Sequence, residues 1–341
     1  MIVLKWIGML HHYEHPSNVK KAYPFAAVAK MEQIPFVYFS FGGIDFENGM
    51  VNGWVYEGGG WKGETVKIPN VIINSCNPKN QEQREVINKL KLQSVAFTSH
   101  PVGSKLKVYK KISNGEQFAD YIIPSVQISH PDEIFPFLQE HPRAVFKPLS
   151  GNQGKQVYFI QHIEQLYKII DGSSINTFSR KDIWLFINRH LKEKRYLLQP
   201  YIECKTKSGF SYDFRLHVQK NGSGEWEINL IYPRISGSGK LISNISSGGY
   251  RGELEPFLKE EFGESAIDVK EKLEEFALSF PAHFDTLYEY SFDELGIDLG
   301  VDENQKFWVF EVNWRPGCKH REFEVAKRLI PYCRYLTEKN T

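Results

Sequence analysis

Residues 296–317, GIDLGVDENQKFWVFEVNWRPG, constrain the fold more than any other segment. Two apolar runs flank a turn-forming stretch at 302–305, which predicts an antiparallel β-hairpin. The hairpin places Asp298 beside Glu311, and the two-residue period of a strand puts Glu311 and Asn313 on one face. The segment therefore predicts an antiparallel sheet that brings three oxygen-bearing side chains together.

These three side chains are candidate magnesium ligands. Mg²⁺ takes hard oxygen ligands, usually one or two carboxylates together with water and substrate phosphates. The alternative is an ordinary charged strand face. Glu311, however, stands among apolar and aromatic residues, where a carboxylate needs a partner.

A second segment, residues 146–155 (FKPLSGNQGK), suits a polyphosphate. Lys147 ends a predicted strand, and Gly151 and Gly154 lie in a loop whose backbone N–H groups can approach phosphate oxygens. The return strand is QVYFI. The segment is not a Walker A loop, because no GxxxxGK[ST] pattern precedes a helix, and an ordinary Gly-Asn turn has the same composition.

Arginines and one polar loop complete the candidate set. Arg215, Arg234 and Arg315 have planar forks that bind phosphate through two hydrogen bonds, although any one of them is more often a surface ion-pair partner. The loop at 241–249, LISNISSGG, contains Asn244 and either touches ribose or phosphate or is a plain surface loop.

The pattern of apolar runs predicts two regions. Over 1–98, short apolar strands alternate with helices at 18–33 and 82–92, which indicates a small α/β domain with a hairpin in 41–63. Over 99–341, strands and turns dominate, with a hairpin turn at 221–224 and helices at 132–140, 179–192, 256–280 and 320–331. We therefore expect an α/β domain followed by an α+β body.

Composition excludes several classes of protein. Lys and Arg total 42 against 41 Asp and Glu, so the net charge of +1 gives no overall attraction to nucleic acid or membrane. No apolar run reaches the length of a membrane span or a signal peptide. The four cysteines form no CxxC pair, which argues against structural zinc and disulfides and favours the cytoplasm.

Taken in order over residues 99–321, these elements resemble the ATP-grasp superfamily of carboxylate–amine ligases. The matching positions are Lys105, Lys147 with the 151–154 loop, Gln199, Pro200, Tyr201, Ile202, Asp213, Arg215, Arg234, Asn244, Asp298, Glu311 and Asn313. The spacing is similar to that of ribosomal-protein glutamate ligases. The sequences KPLSGNQGK, ISNISSGG and EVNWRPG are similar to those of the YheC/YheD-like branch associated with endospore coats.

The resemblance implies two α+β subdomains that clasp ATP, preceded by a pre-ATP-grasp domain over 1–98, with the lid at about 147–200. Lys105 and Lys147 would hold the α- and β-phosphates under the glycine loop, and residues 199–202 would read adenine. Asp213, Arg215 and Asn244 would lie near ribose or phosphate, and Asp298, Glu311 and Asn313 would bind one or two Mg²⁺ ions, or Mn²⁺. Pro200 has no N–H, so adenine recognition needs carbonyls and the N–H of Ile202 or a neighbour.

The resemblance further implies an acyl-phosphate mechanism that yields ADP and phosphate, with Arg234 and Arg315 at the transferred γ-phosphoryl group. The substrates would be a small-molecule or peptide carboxylate and an amine, including an amino acid, peptide or protein tail in a spore-forming bacterium. The alternative is a non-catalytic ATP-binding spore-coat protein. A nucleic-acid binder would need a basic stripe that the sequence lacks. The sequence names neither the substrates nor the oligomeric state.

Overall fold

The computed structural model describes residues 5–93, 95–149, 156–172, 174–237 and 249–339. Its strands are β1 Ile7–His11, β2 Phe36–Ser40, β3 Ile44–Asp45, β4 Met50–Glu57, β5 Gly60–Lys67, β6 Val71–Asn74, β7 Ala96–Phe97, β8 Val126–Ile128, β9 Arg143–Pro148, β10 Tyr158–Ile163, β11 Leu166–Asp171, β12 Ser174–Phe178, β13 Tyr196–Pro200, β14 Tyr212–Lys220, β15 Trp226–Ile235, β16 Tyr250–Arg251, β17 Glu294–Val301 and β18 Phe307–Asn313. Its α-helices are α1 Ala22–Met31, α2 Gln81–Leu92, α3 Lys105–Asn114, α4 Ile134–Glu140, α5 Arg180–Glu193, α6 Leu254–Phe262, α7 Ala266–Thr286 and α8 Glu322–Lys339.

The first sheet has the order β3-β4-β2-β1-β6-β7, and β5 pairs with β4. The central strand β1 runs parallel to both β2 and β6, and its apolar residues are buried, as expected for a strand covered on both faces. The carboxyl ends of β1 and β6, at His11 and Asn74, therefore lie at the same edge of the sheet.

The second sheet is antiparallel, with the order β12-β11-β10-β9-β13-β8. Helices α4 and α5 pack on it around a core that includes Phe146, Ile183 and Tyr196. The lid expected at 147–200 falls within this sheet. The sheet begins earlier in the chain, at Val126, because β8 pairs with β13.

The third sheet has the order β16-β15-β14-β17-β18 and carries α6 and α7. Helix α7 packs Phe276, Phe280 and Phe284 into the core of this sheet. The last helix, α8, returns to the first sheet and packs against α1, with Leu329 and Ile330 in their shared core. The beginning and the end of the chain thus share one hydrophobic core.

The three predicted hairpins are confirmed, between β4 and β5, between β14 and β15 and between β17 and β18, although the first extends past residue 63 to Lys67. The single helix expected over 256–280 is wrong, since Gly263, at φ 58°, separates α6 from α7. Helix α8 continues past Pro331 to Lys339, beyond the expected end at 331. Helix α3 was not among the expected helices.

In the described part of the chain, no helix combines the length and the apolar character that a membrane span requires. All four cysteines are buried and unpaired, in agreement with the expected absence of a disulfide framework.

Candidate functional site

A cleft of about 510 Å³ lies where α3, the end of β9 and the end of β18 meet a loop of the first sheet. Its walls are formed by Asn77, Val102, Gly103, Ser104, Lys105, Val108, Tyr109, Leu149, Glu311, Val312, Asn313 and Trp314. This volume is within the range of small-molecule sites. Three of the candidate residues, Lys105, Glu311 and Asn313, therefore face one cavity.

Lys105 is the first residue of α3, at a helix N-terminus that itself favours negative charge. Ser104 caps this helix, its hydroxyl accepting from the N–H of Lys107 at 3.4 Å. Lys105 Nζ lies 2.8 Å from Glu311 Oε1, and both side chains are largely buried. The pair joins a candidate phosphate ligand to a candidate metal ligand.

Lys147 lies behind this pair on β9. Its ammonium donates to the Tyr109 hydroxyl at 3.4 Å, and that hydroxyl donates to the Phe310 carbonyl at 2.5 Å. Burial, and then the nearby Lys105 charge, lower the pKa of Lys147 to about 7, although Glu311 acts in the opposite direction. Lys147 is therefore poised to gain or lose a proton near neutral pH.

The β17–β18 hairpin places Asp298 directly opposite Glu311, as its sequence predicts. Arg215 Nε donates to Asp298 Oδ1 at 2.5 Å, and Arg215 Nη2 and Arg234 Nη2 approach Oδ2 at 3.2 and 3.1 Å. Burial opposes ionisation, but the two arginines lower the pKa of Asp298 overall. Asp298 is held as a carboxylate, and it does not appear in the wall of the cleft, which Glu311 and Asn313 line.

Arg234 extends this network. Its Nε and Nη2 donate to the two oxygens of Asp213 at 2.7 and 2.5 Å. The order Asp213, Arg234, Asp298, Arg215 alternates in charge, and all four side chains are buried or nearly so. The structure thus places Asp213, Arg215 and Arg234 in one ion-pair network with Asp298, beside the hairpin. None of the three lines the cleft.

Arg315 reaches in the other direction, to the first sheet. Nη1 donates to the Asn74 carbonyl at 3.3 Å, Nη2 donates to Asn77 Oδ1, and the guanidinium lies 3.9 Å from the ring centre of Trp314. Since Asn77 and Trp314 line the cleft, Arg315 stands at its rim.

The expected adenine segment, residues 199–202, continues from β13. Gln199 is buried and donates through Nε2 to Ser125 Oγ at 2.6 Å. The N–H of Tyr201 donates to the Arg143 carbonyl at 2.9 Å, and Pro200 pairs with Ala144 across the sheet. The backbone donor of Tyr201 is therefore engaged within the sheet. Gly151, Gly154 and Asn244 lie outside the described residues.

Whether the site can bind a metal ion depends on which side chains offer it oxygen ligands. Among the described residues, no group of three or more His, Cys, Asp and Glu side chains is arranged to hold a metal ion. Glu311 and Asn313 offer a carboxylate and an amide oxygen to the same cleft, with Asp298 opposite Glu311. Such a set fits Mg²⁺ that shares its coordination with water and phosphate.

Sequence reasoning missed two residues of the site. Tyr109 carries the link between Lys147 and β18, and a helical reading of 105–114 would have placed it on the buried face with Val108 and Ile112. Asn77 follows β6, and the rule that ligands bind at the carboxyl ends of parallel strands would have singled it out.

Comparison with known proteins places this geometry in context. Residues 94–336 match a family model described as YheC/D-like ATP-grasp. The endospore coat-associated protein YheD of Bacillus subtilis (strain 168) is 24% identical over 97% of this chain and 78% of that protein.

Solved structures give the same fold. The structure of the ATP-grasp ligase PsnB complexed with minimal precursor, Mg and ADP has a TM-score of 0.55 at 10% identity, covering 98% of both chains. A Chryseobacterium gregarium RiPP-associated ATP-grasp ligase, in complex with ADP and a leader and core peptide, has a TM-score of 0.53 at 14% identity, covering 98% of this chain and 97% of that one.

Proposed function

Because the chain belongs to the YheC/D-like ATP-grasp family, we propose that it joins a carboxylate to an amine in an ATP- and Mg²⁺-dependent reaction. The observation that carries this proposal is the cleft in which Lys105, Glu311 and Asn313 meet beside Lys147. Two ammonium groups beside hard oxygen ligands are what a magnesium-bound polyphosphate requires.

A carboxylate is a poor acyl donor, since its leaving group would be oxide. In the proposed reaction a carboxylate oxygen attacks the γ-phosphorus of ATP, the bond from that phosphorus to the β,γ-bridging oxygen breaks, and ADP leaves. The amine then attacks the acyl carbon, phosphate leaves with the former carboxylate oxygen, and the amine proton passes to solvent. Positioning and charge neutralisation supply most of such catalysis.

Each lysine of the cleft has a proposed partner on the nucleotide. Lys105 and Lys147 hold the α- and β-phosphates. Glu311 and Asn313 hold Mg²⁺, which neutralises the outer phosphates when bound. Lys105 and Glu311, which pair with each other at 2.8 Å, would then each have a partner of opposite charge, phosphate for Lys105 and the metal for Glu311.

Asp298 is the third proposed metal ligand. A carboxylate offers about four acceptor positions. Three arginine donors, from Arg215 and Arg234, occupy Asp298 and leave about one acceptor position, on Oδ1. In this arrangement Arg215, Asp213 and Arg234 act mainly by holding Asp298 ionised and in place.

The other candidate residues also have proposed roles in binding the nucleotide. Carbonyls of 199–202 and the N–H of Ile202 read adenine, because the N–H of Tyr201 is engaged. The loop with Gly151 and Gly154 covers the phosphates, and Asn244 meets ribose or phosphate. We further propose Arg234 and Arg315 as the arginines nearest the transferred phosphoryl group, with residues 1–98 forming the pre-ATP-grasp domain.

The test is to incubate the protein with Mg²⁺-ATP and pools of amino acids, small carboxylic acids and peptides, then to resolve nucleotides by chromatography and products by mass spectrometry. ADP with a new amide supports the proposal. AMP as the stoichiometric product contradicts the acyl-phosphate route. Nucleotide binding without turnover on any pool favours the second candidate, a non-catalytic spore-coat protein, which the similarity to the endospore coat-associated protein YheD suggests.

A further inference from the structure

The edge of the first sheet that faces the cleft carries a group of basic side chains that extends away from the nucleotide, beginning at Arg315, which is proposed above to lie near the transferred phosphoryl group. Strand β1 ends at His11 and is followed by His12, and the loop after β6 carries Lys79. Arg315 enters from the end of β18 and donates to the Asn74 carbonyl. We call His11, His12, Lys79 and Arg315 the cationic corner.

Lys79 and Arg315 carry the positive charge of the corner, and together with burial they keep the two histidines uncharged near neutral pH. Burial, followed by His12, Lys79 and Arg315, lowers the pKa of His11 to about 4. Burial, followed by Lys79 and later Arg315, also lowers the pKa of His12, against hydrogen bonds to the Asn77 backbone and the Gln83 side chain that raise it. The corner is therefore an electropositive site, in which an added negative charge would relieve repulsion.

Carboxylates of the described chain do not neutralise the corner. The ion pairs among the described residues include neither Lys79 nor Arg315. The carboxylates that act on Arg315 from a distance are engaged elsewhere. Asp293 accepts from the Ser99 N–H at 2.6 Å, and Glu294 is 2.7 Å from His217.

Two buried polar atoms at this edge have no partner in the described part of the chain, His12 Nδ1 and Asn74 Oδ1. Buried polar atoms are almost always hydrogen-bonded in folded proteins. Asn74 Oδ1 can only accept a hydrogen bond, so it calls for a donor such as water or an N–H or O–H of a ligand, while an anionic group itself would be held by Lys79 and Arg315.

The corner is continuous with the cleft. Asn77, which lines the cleft, accepts from Arg315 Nη2, and Trp314, which also lines it, stacks on the same guanidinium. Trp314 adjoins Asn313, so a substrate whose reacting carboxylate lies at the proposed metal end can reach the corner with a second group.

We propose that the cationic corner holds a second anionic group of the carboxylate substrate, so that the substrate is at least a dianion. The second group is a carboxylate or a phosphorus oxyacid, since both match arginine and lysine in the same way. This inference rests on the proposed function in one respect, since it assumes that the other carboxylate of the substrate is the one that reacts with ATP. A substrate with a single carboxylate would leave the Lys79 end of the corner without a counter-charge.

The test is a calorimetric titration of the full chain, saturated with Mg²⁺-ADP, with three probes of similar size: glutarate, its monoamide glutaramate, and 4-phosphonobutyrate. We expect glutarate or 4-phosphonobutyrate to bind at least about tenfold more tightly than glutaramate, because hydrogen bonds to charged groups contribute on that order. The better of the two identifies the second group.

Three variants assign the effect to the corner. Lys79→Gln, at an exposed position, should remove most of the preference, and Arg315→Lys should weaken it while retaining the charge. Lys89→Gln, an exposed lysine near the other end of α2, makes the same charge change and should leave the preference intact. Equal binding of glutarate, 4-phosphonobutyrate and glutaramate, or a preference that survives in Lys79→Gln, would overturn the inference.

These outcomes are separate from those of the ligase proposal. If the protein forms amides from monocarboxylates and binds the three probes equally, the ligase proposal stands and the proposal of a second anion site is refuted. If the protein prefers a dianionic probe but turns over no carboxylate, the cationic corner is an anion site and the ligase proposal is refuted.

Discussion

At the scale of single residues, Lys147 gives the site a pH dependence. Its pKa, lowered to about 7 by burial and by Lys105, must rise when phosphate approaches, because phosphate stabilises the ammonium form. Binding therefore takes up a proton, and the affinity for Mg²⁺-ADP falls as pH rises above 7, by at most about tenfold per pH unit.

Calorimetry at pH 8 in buffers of different ionisation enthalpy measures this proton uptake directly. Lys147→Arg, which keeps a charge that does not titrate, should still bind Mg²⁺-ADP but with the uptake lost. An unchanged uptake in that variant would assign the proton to another group.

Glu311 tests the metal assignment. Glu311→Gln keeps the size of the side chain but weakens a magnesium ligand, so turnover should fall about 100-fold or more, as for loss of one charge-stabilising group. Magnesium should also cease to strengthen ADP binding. The matched control is Glu303→Gln, at an exposed position in the turn of the same hairpin, which should behave as the unmodified protein. Full magnesium-dependent activity in Glu311→Gln would be incompatible with the assignment.

At the scale of elements, the charge network joins β14, β15 and β17 through Asp213, Arg234 and Asp298. Asp213→Ala removes the bidentate partner of a buried guanidinium and should lower the free energy of unfolding by about 3 kcal/mol. Urea denaturation followed by circular dichroism measures the change. Glu255→Gln, which breaks the exposed pair with Lys270, should leave the midpoint unchanged. Similar midpoints for both variants would mean that the network stabilises nothing.

The break between α6 and α7 rests on Gly263. Its φ of 58° and ψ of −119° lie in a region that L-residues rarely adopt, at a cost of about 1–3 kcal/mol, even though a Cβ atom there would meet no neighbour within 4 Å. Gly263→Ala should lower thermal stability accordingly. Gly63→Ala, at an equally open site in β5 without positive φ, should not lower it. A neutral Gly263→Ala would show that α6 and α7 can join as one helix.

Local features of these elements could be predicted from the sequence. The turn at 302–305 brings Asp298 and Glu311 side by side within a short segment, as the sequence predicts. Their direct pairing also depends on a register shift between Asp298 and Leu299, which a two-residue period does not predict. The contacts of Arg315 could not be predicted, because Asn74 and Asn77 lie 241 and 238 residues away in the chain. Arg315 meets these two asparagines only because the end of β18 folds back against the first sheet.

At the scale of the whole molecule, the net charge of +1 excluded an overall attraction to anions and required local positive groups instead. The structure supplies them at the meeting point of the three sheets, in Lys105, Lys147 and Arg315. The α/β and α+β character and the ATP-grasp fold were predicted from ordered motifs. The packing of α8 on α1, which joins the ends of the chain, was not, since no local pattern encodes that long-range contact.

The most direct test of the central claim follows oxygen atoms through the reaction. The carboxylate identified by ADP release is labelled with ¹⁸O at both oxygens, and the released phosphate is analysed by mass spectrometry. Attack of the carboxylate on the γ-phosphorus transfers one labelled oxygen to each phosphate, because the acyl–oxygen bond breaks when the amine attacks. The account predicts singly labelled phosphate in amounts equal to the amide. Unlabelled phosphate, or label recovered in AMP, would contradict it.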